Sequence, residues 1–401
     1  MKIRSSALRF LLAGSLLLVI AAPARAQFPS AGARAIGMGG AQVAAVDDPT
    51  AAWVNPAALA GLKGWNFEIL GGGVAQNRNN LVGTLTTLAD LPYDQIVAGD
   101  RPDLVPVLVG GIVNLARPGT SVVFSGVAGI VGSYEGFSVS IGSVPYAGIY
   151  PRIDLEHIVP GGGPDNGLGY NTTGLYLSGL SAREARVAYG YGFLGGALEV
   201  GGAARFVSGV TYFGRCTVFD NTCKGQDLSE LVHDAFDENA RTTNKFTFDL
   251  GARANFGIVK LGVAGIALNQ PEFTVADVPG SPGSVPLPRQ LRGGVAVDVL
   301  SFLTLAADGD FIKSDTLAPG TQSQQMSLGA ELKIPLFAFR GGATYDFAAA
   351  NPKWAYSLGV GFGIPIVSVD IGVVWGPTGG LNYQNPNREA LGASADVKVH
   401  F

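Results

Sequence analysis

The sequence predicts an all-β chain, a transmembrane antiparallel β-barrel of about 14 strands with short helices in its outer loops. Three observations predict it. The last strand alternates without a break: Leu391, Ala393, Ala395, Val397, Val399 and Phe401 point one way, and Gly392, Ser394, Asp396, Lys398 and His400 the other. The same period of two recurs along most of the chain, while no apolar run after the first residues reaches the roughly 20 residues of a spanning helix. The chain also opens on an export leader. In lipid every backbone polar group must be paired, so a chain that spans without helices has to close its sheet.

The leader is residues 1–26. Lys2, Arg4 and Arg9 form a positive region, Phe10–Ala22 a short apolar one, and Ala24-Arg25-Ala26 a small-residue cleavage site, so the mature chain is expected to begin at Gln27. No Cys follows that site, which argues against a lipid anchor. The remaining residues suit one mid-sized barrel. A secreted sandwich or solenoid is the alternative, disfavoured by the terminal Phe401, a C-terminal signal that resembles that of bacterial outer-membrane barrels. The net charge of −4 gives no reason to expect nucleic acid as a partner.

Strands follow in order. Trp65–Gln76, Thr120–Gly132, Gly136–Tyr150, a segment within Thr173–Phe193, and Gly196–Tyr212 are loosely patterned. Lys245–Phe256 is the clearest: Phe246, Phe248, Leu250, Ala252, Ala254 and Phe256 share one face, and Lys245, Thr247, Asp249, Arg253 and Asn255 the other. Ile258–Asn269 and seven further alternating runs, the last Ala390–Phe401, complete the count. Short turns (Tyr134-Glu135, Leu194-Gly195, Ile334-Pro335, Ile364-Pro365) alternate with long polar connections, as periplasmic turns alternate with extracellular loops. Asn80–Ala116 breaks the alternation with apolar residues at helical spacing and reads as a helical insertion in the first outer loop. Asp227–Ala240 reads as another short helix. Cys216 and Cys223 flank a polar, turn-like segment and are expected to form a loop disulfide.

The mature N-terminus carries Gly32-Ala33-Arg34-Ala35-Ile36-Gly37-Met38-Gly39-Gly40-Ala41, then Val43-Ala44-Ala45-Val46-Asp47-Asp48, then Asn55-Pro56-Ala57-Ala58-Leu59. This series resembles the start of the FadL-type superfamily of hydrophobic-compound transporters. Within it the likeness is to the branch named as TraF-like outer-membrane proteins of conjugal transfer, on the helical insertion and on Leu303–Asp310, Leu328–Lys333 and Phe339–Tyr345. The resemblance implies that residues 27–64 form a plug inside a barrel of residues 65–401, with Gly37, Gly39, Gly40, Asp47, Asp48, Asn55 and Pro56 as its motif. It also implies a lateral exit for apolar ligands at a kink in the third strand, for which Gly142, Pro145 and Gly148 are the candidates; the alternative is that Pro145 only marks the strand's outer end. Asp47 and Asp48 are expected either to pair with luminal Arg253, Arg292 or Arg340 or to cap a short helix.

The luminal charges, among them Asp249, Arg253, Arg292, Asp298, Asp308, Asp310 and Arg340, mix both signs. A wide pore for one ion sign would carry one sign; mixed signs suit ion pairs that lock a plug. His157, His233 and His400 are scattered and no nucleophile-elbow motif occurs, so no catalytic residue, cofactor or metal is expected. The expected function is uptake or passage of small hydrophobic compounds across the outer membrane, with lipid and a small apolar ligand as partners. The alternatives are an assembly component of an envelope secretion or conjugation machine, with a protein partner, and an outer-membrane hydrolase.

Overall fold

In the computed structural model of the protein, the described residues are 31–401 except 93–94, 97–98, 155, 158–163, 167–169, 171, 218–233, 350–353 and 377–389. The leader, Cys223, His233 and the first half of the Asp227–Ala240 helix lie outside them. So does nearly all of the last long loop. Period-two alternation becomes a wall of fourteen strands: β1 (Trp65–Arg78), β2 (Ser121–Tyr134), β3 (Phe137–Arg152), β4 (Gly174–Phe193), β5 (Leu198–Thr217), β6 (Arg241–Phe256), β7 (Val259–Ile266), β8 (Gln290–Leu300), β9 (Leu303–Asp310), β10 (Gln325–Ile334), β11 (Phe337–Asp346), β12 (Trp354–Gly363), β13 (Val367–Gly376) and β14 (Ala390–His400). Each pairs antiparallel with its sequence neighbours, and β1 pairs with β14 to close the barrel. The predicted closure and strand number both hold.

One face of each strand is buried and the other exposed and apolar. Phe246, Phe248, Leu250, Ile371, Val373 and Phe401 are among the outward residues, where a soluble sheet would place polar ones. Trp65 stacks on Tyr134 at the short-turn end, with ring centroids 4.6 Å apart, and Tyr345 meets Trp354 at the long-loop end, 5.1 Å apart. Turns at the first end are tight. Glu135 and Gly136 both have positive φ, 46° and 85°, the backbone that a two-residue hairpin demands.

The wall is not of even height. β4 and β5 run for 20 residues each, whereas β10 to β13 have 10 each. Only about 9–11 residues are needed to span. All short turns lie at one end, so the surplus rises at the long-loop end. On β4 the exposed apolar residues stop at Arg183; the outward Leu177 and Leu175 above it are covered, Leu177 packing with Ala235.

The first long loop forms α3 (Leu81–Ala89) and α4 (Val105–Leu115), as the helical spacing predicts. Only a single π-helical turn, Asp234–Glu238, is seen where the helix to Ala240 was expected. Two other long loops fold inward as two-stranded hairpins, Glu272–Thr274 with Ser284–Pro286 and Ser314–Asp315 with Gln322–Ser323. Among the described residues, no helix is long and apolar enough to cross a membrane.

Candidate functional site in the barrel lumen

Residues 31–62 lie inside the wall, and nearly all of them are buried. They form α1 (Ala33–Gly37), α2 (Ala51–Val54) and a 3-10 turn, Pro56–Gly61. Small residues let this backbone lie directly on the wall. A Cβ on Gly342 would collide with Met38 and Gly39, one on Gly372 with Ala33, and one on Gly201 with Pro56. Gly37 faces Gly359 in a similar contact, where a Cβ on Gly37 would lie only 3.0 Å from the opposite Cα. Gly39 sits at φ 65° against Ala343, where both the backbone sign and the space exclude a side chain. Gly40 also has positive φ, and its carbonyl accepts from Arg292. Asn55 donates to the Val43 carbonyl at 2.9 Å and accepts from the Ala57 amide at 3.2 Å, so it caps the turn that Pro56 begins.

Ion pairs fasten the segment on two sides. On one side Arg34 holds Glu331 of β10 through two bonds of 2.9 Å and Asp47 through one of 2.7 Å. Arg340 bridges Glu331 and Asp370, each at 2.6 Å. Lys398 lies 2.8 Å from Asp48, 3.2 Å from Asp370 and 3.8 Å from Glu68. Burial alone would push the Asp48 carboxyl up, but the Lys398 ammonium and Arg34 guanidinium outweigh it and hold Asp48 well below the usual carboxylate range. Burial likewise opposes the charge on Arg34, and Asp47 and Glu331 overcome it.

On the other side four charges form a closed ring across β4, β5 and β6. Glu184 meets Arg186 at 2.7 Å and Arg205 at 2.9 Å; Asp249 meets Arg205 at 2.7 Å and Arg186 at 3.4 Å. The quartet is neutral and fully buried. Its link to the luminal segment is α2: Trp53 Nε1 donates to Glu184 at 2.7 Å, and Arg186 donates to the Ala52 carbonyl. Arg253 pairs with Glu199 at 2.5 Å and donates to the Val46 carbonyl at 2.7 Å. Between the two sides, Arg292 pairs with Asp310 at 2.8 Å, and Asp308 accepts from the Gln42 and Val43 amides at 2.7 and 2.9 Å. Asp298 pairs with Lys260 at 3.0 Å nearer the short turns.

The expected partners of Asp47 and Asp48 were therefore wrong in identity. Arg253, Arg292 and Arg340 are each engaged by wall carboxylates, and the acidic pair takes Arg34, Lys333 and Lys398 instead. The capping alternative applies in part, since Asp48 also accepts from the Thr50 amide at 3.1 Å, just before α2. Sequence reasoning missed Glu184, Arg186, Arg205, Glu199 and Glu68. The alternation Ala182, Glu184, Arg186, Ala188 was there to find them.

Toward the long-loop end the same wall turns apolar. Leu180 and Tyr176 on β4, Val207 and Phe213 on β5, and Tyr146 on β3 form one buried cluster with the inward hairpin. Tyr176 stacks on Tyr150 at 5.8 Å. β3 is regular over its whole length and paired without interruption to β4, so the expected bend at Gly142 and Gly148 is absent. Those glycines instead admit close neighbours: Trp53 lies over Gly142, and the Leu317-Ala318 backbone over Gly148. Pro145 does coincide with a break. Pairing of β2 with β3 stops after Ser125–Tyr146, skips two residue pairs, and resumes at Ala128–Ser143 in the same register. A crevice of about 20 Å³, room for about one water molecule, lies next to the break. It is lined by outward Phe124 and Ala147 and by inward Val123, Ser125 and Tyr146.

Cys216 at the end of β5 is disulfide-bonded. His157 bonds Asp154 at 2.9 Å in the long loop after β3. Among the described residues, no group of three or more His, Cys, Asp or Glu is placed to hold a metal ion.

Solved structures similar to this one share nearly its whole length. The Pseudomonas putida toluene transporter TodX matches with a TM-score of 0.53 at 14% identity, over 94% of this chain and 99% of that one. The Ralstonia pickettii toluene transporter TbuX matches with a TM-score of 0.51 at 16% identity, over 94% and 99%. The monoaromatic hydrocarbon channel CymD matches with a TM-score of 0.51 at 14% identity, over 94% and 98%. The fold is that of these transporters and this channel. In sequence, the model of a family described as "F plasmid transfer operon, TraF, protein" matches residues 128–310, from within β2 to the end of β9. Of the segments that suggested that branch, only Leu303–Asp310 falls inside the match. No curated protein matches the sequence.

Proposed function

We propose that the protein is an outer-membrane channel for small hydrophobic compounds, exported by a cleaved leader and closed toward the periplasm by residues 27–64 acting as a plug. The long-loop end then faces the cell exterior. An apolar solute enters the chamber above the quartet, is stopped below by the salt-bridged plug, and leaves sideways into the bilayer between β2 and β3. No covalent chemistry is involved. The observation that carries this reading is the break in the β2–β3 ladder at Pro145, beside a buried apolar cluster and above a floor fastened by buried charge. The similar structures are channels and transporters for toluene and monoaromatic hydrocarbons, which supports the same class of cargo.

The test is toluene uptake by cells producing Pro145→Val, which restores an N–H to the strand. Uptake is expected to fall several-fold with the amount of folded barrel unchanged; unaltered uptake would defeat the lateral route. A second reading, an assembly component of a conjugation or secretion machine, is favoured by the plasmid-transfer family match. Native mass spectrometry of the protein from outer membranes separates the two: a retained apolar molecule supports passage, and a stoichiometric protein partner supports assembly.

A further inference from the structure

We propose that the apolar chamber is a binding site for a single uncharged aromatic ring, and that the protein's own Phe273 occupies it in this structure. The site's biological use rests on the passage reading; its chemistry does not.

Phe273 is fully buried, yet it comes from a hairpin strand whose flanking residues, Glu272 and Thr274, are exposed. One ring alone is thus inserted into the wall. Its seat is Gly209 on β5, between inward Val207 and Thr211, where any Cβ would collide with the ring. The glycine makes a notch of aromatic width in a wall that elsewhere carries side chains. Aromatic and aliphatic neighbours, Tyr176, Phe213 and Leu180, complete the surroundings. Tyr176 lies 6.2 Å from Phe213, a separation at which aromatic rings attract through edge and face. An ion brought here would lose its hydration; the Arg152 guanidinium already stands over the Tyr176 ring, 5.9 Å from its centre, and the quartet below is neutral.

The occupant is held by apolar burial, together with Val275, Ala276, Val285 and Leu287 of the same loop, and not by the ladder of the barrel. The hairpin has three residue pairs of its own, and a two-stranded ribbon of that size is marginal by itself. Its bond to the wall is Thr211 Oγ1 donating to the Thr274 carbonyl at 2.7 Å. The ladder of the barrel does not pass through it, so the hairpin can withdraw while every barrel strand pair stays made. A ligand ring then replaces the Phe273 ring, and its apparent affinity is reduced by the fraction of time the seat is filled from within.

The test uses the full-length purified protein and fluorobenzene, with binding read from its ¹⁹F resonance. Phe273→Ala is expected to bind at least tenfold more tightly than the natural protein, and Phe273→Trp to lose binding. Because truncating any buried ring can leave a cavity that takes benzene, a second variant is needed. The Leu287 amide lies 2.8 Å from the Pro271 carbonyl, so residues 272–286 can be excised and bridged by two glycines. That variant should gain affinity as Phe273→Ala does. In the natural protein, saturating fluorobenzene should speed amide exchange across 272–286. The proposal is overturned if the excised protein binds no better than the natural one, or if the ligand leaves exchange in the hairpin unchanged. Binding as expected with no cellular uptake would remove the passage reading and leave the site; uptake with no binding would remove the site alone.

Discussion

β4 and β5 carry two different interiors, one above the other. Near mid-height, Glu184, Arg186 and Arg205 form part of a closed ring of buried charge; a few residues higher, Leu180, Tyr176, Val207 and Phe213 belong to a buried apolar cluster, the proposed chamber. Charge-assisted bonds are short and directional, so each member of the lower layer fixes the position of its partners. Apolar contact is additive and without direction, so the upper layer can exchange one ring for another at little cost. The difference assigns fixity to the floor and replaceability to the chamber.

The comparison can be broken most forcefully at Glu184. Glu184→Gln leaves Arg186 and Arg205 sharing Asp249, and stranding a buried charge costs about 3–5 kcal/mol. Urea unfolding in detergent micelles should show that loss; a loss near zero would mean that the quartet is not the fastening described. In the chamber, Tyr176→Phe removes the hydroxyl that donates to the Thr172 carbonyl at 2.9 Å. The expected cost is about 0.5–1.5 kcal/mol in the same assay, and a cost as large as that of Glu184→Gln would erase the distinction. A further, pH-dependent effect concerns Asp48. Its folded pKa is depressed, so its contribution is complete above the ordinary carboxylate value of about 4 and is lost as pH falls from there toward the folded value. Stability should therefore drop with acid below about pH 4, and Asp48→Asn should flatten that drop.

Much of this was legible in the sequence, for physical reasons that differ by layer. Strands such as Lys245–Phe256 announce themselves because one face must meet lipid and the other must not. The segment around Gly37–Gly40 was legible through its family resemblance, and its glycines make sense once the wall is seen pressing on them. Partners were not legible. That Asp48 meets Lys398, 350 residues away, depends on how the segment is rotated inside the barrel, which no local pattern records. Nor was the inward fold of the long loops. Glu272–Pro286 reads as a polar, proline-rich connection, and nothing around Phe273 distinguishes a ring seated in the lumen from one lying on a loop.

Closure of the barrel has a consequence for assembly. Every seam but one joins strands adjacent in sequence; the last joins Trp65 to Phe401, whose backbones exchange bonds of 2.9 and 3.3 Å. Bringing two ends so far apart into register carries the largest loop-closure entropy of any seam in the wall. Until it is met, β1 and β14 are both open edges, able to pair with any other unfinished chain. The luminal segment leads directly into β1 and is bonded through Arg34 and Asp48 to β10 and β14. Those bonds tether the first strand beside the last and raise its effective concentration there, so the segment lying in the lumen is also a splint across the seam that shuts the ring.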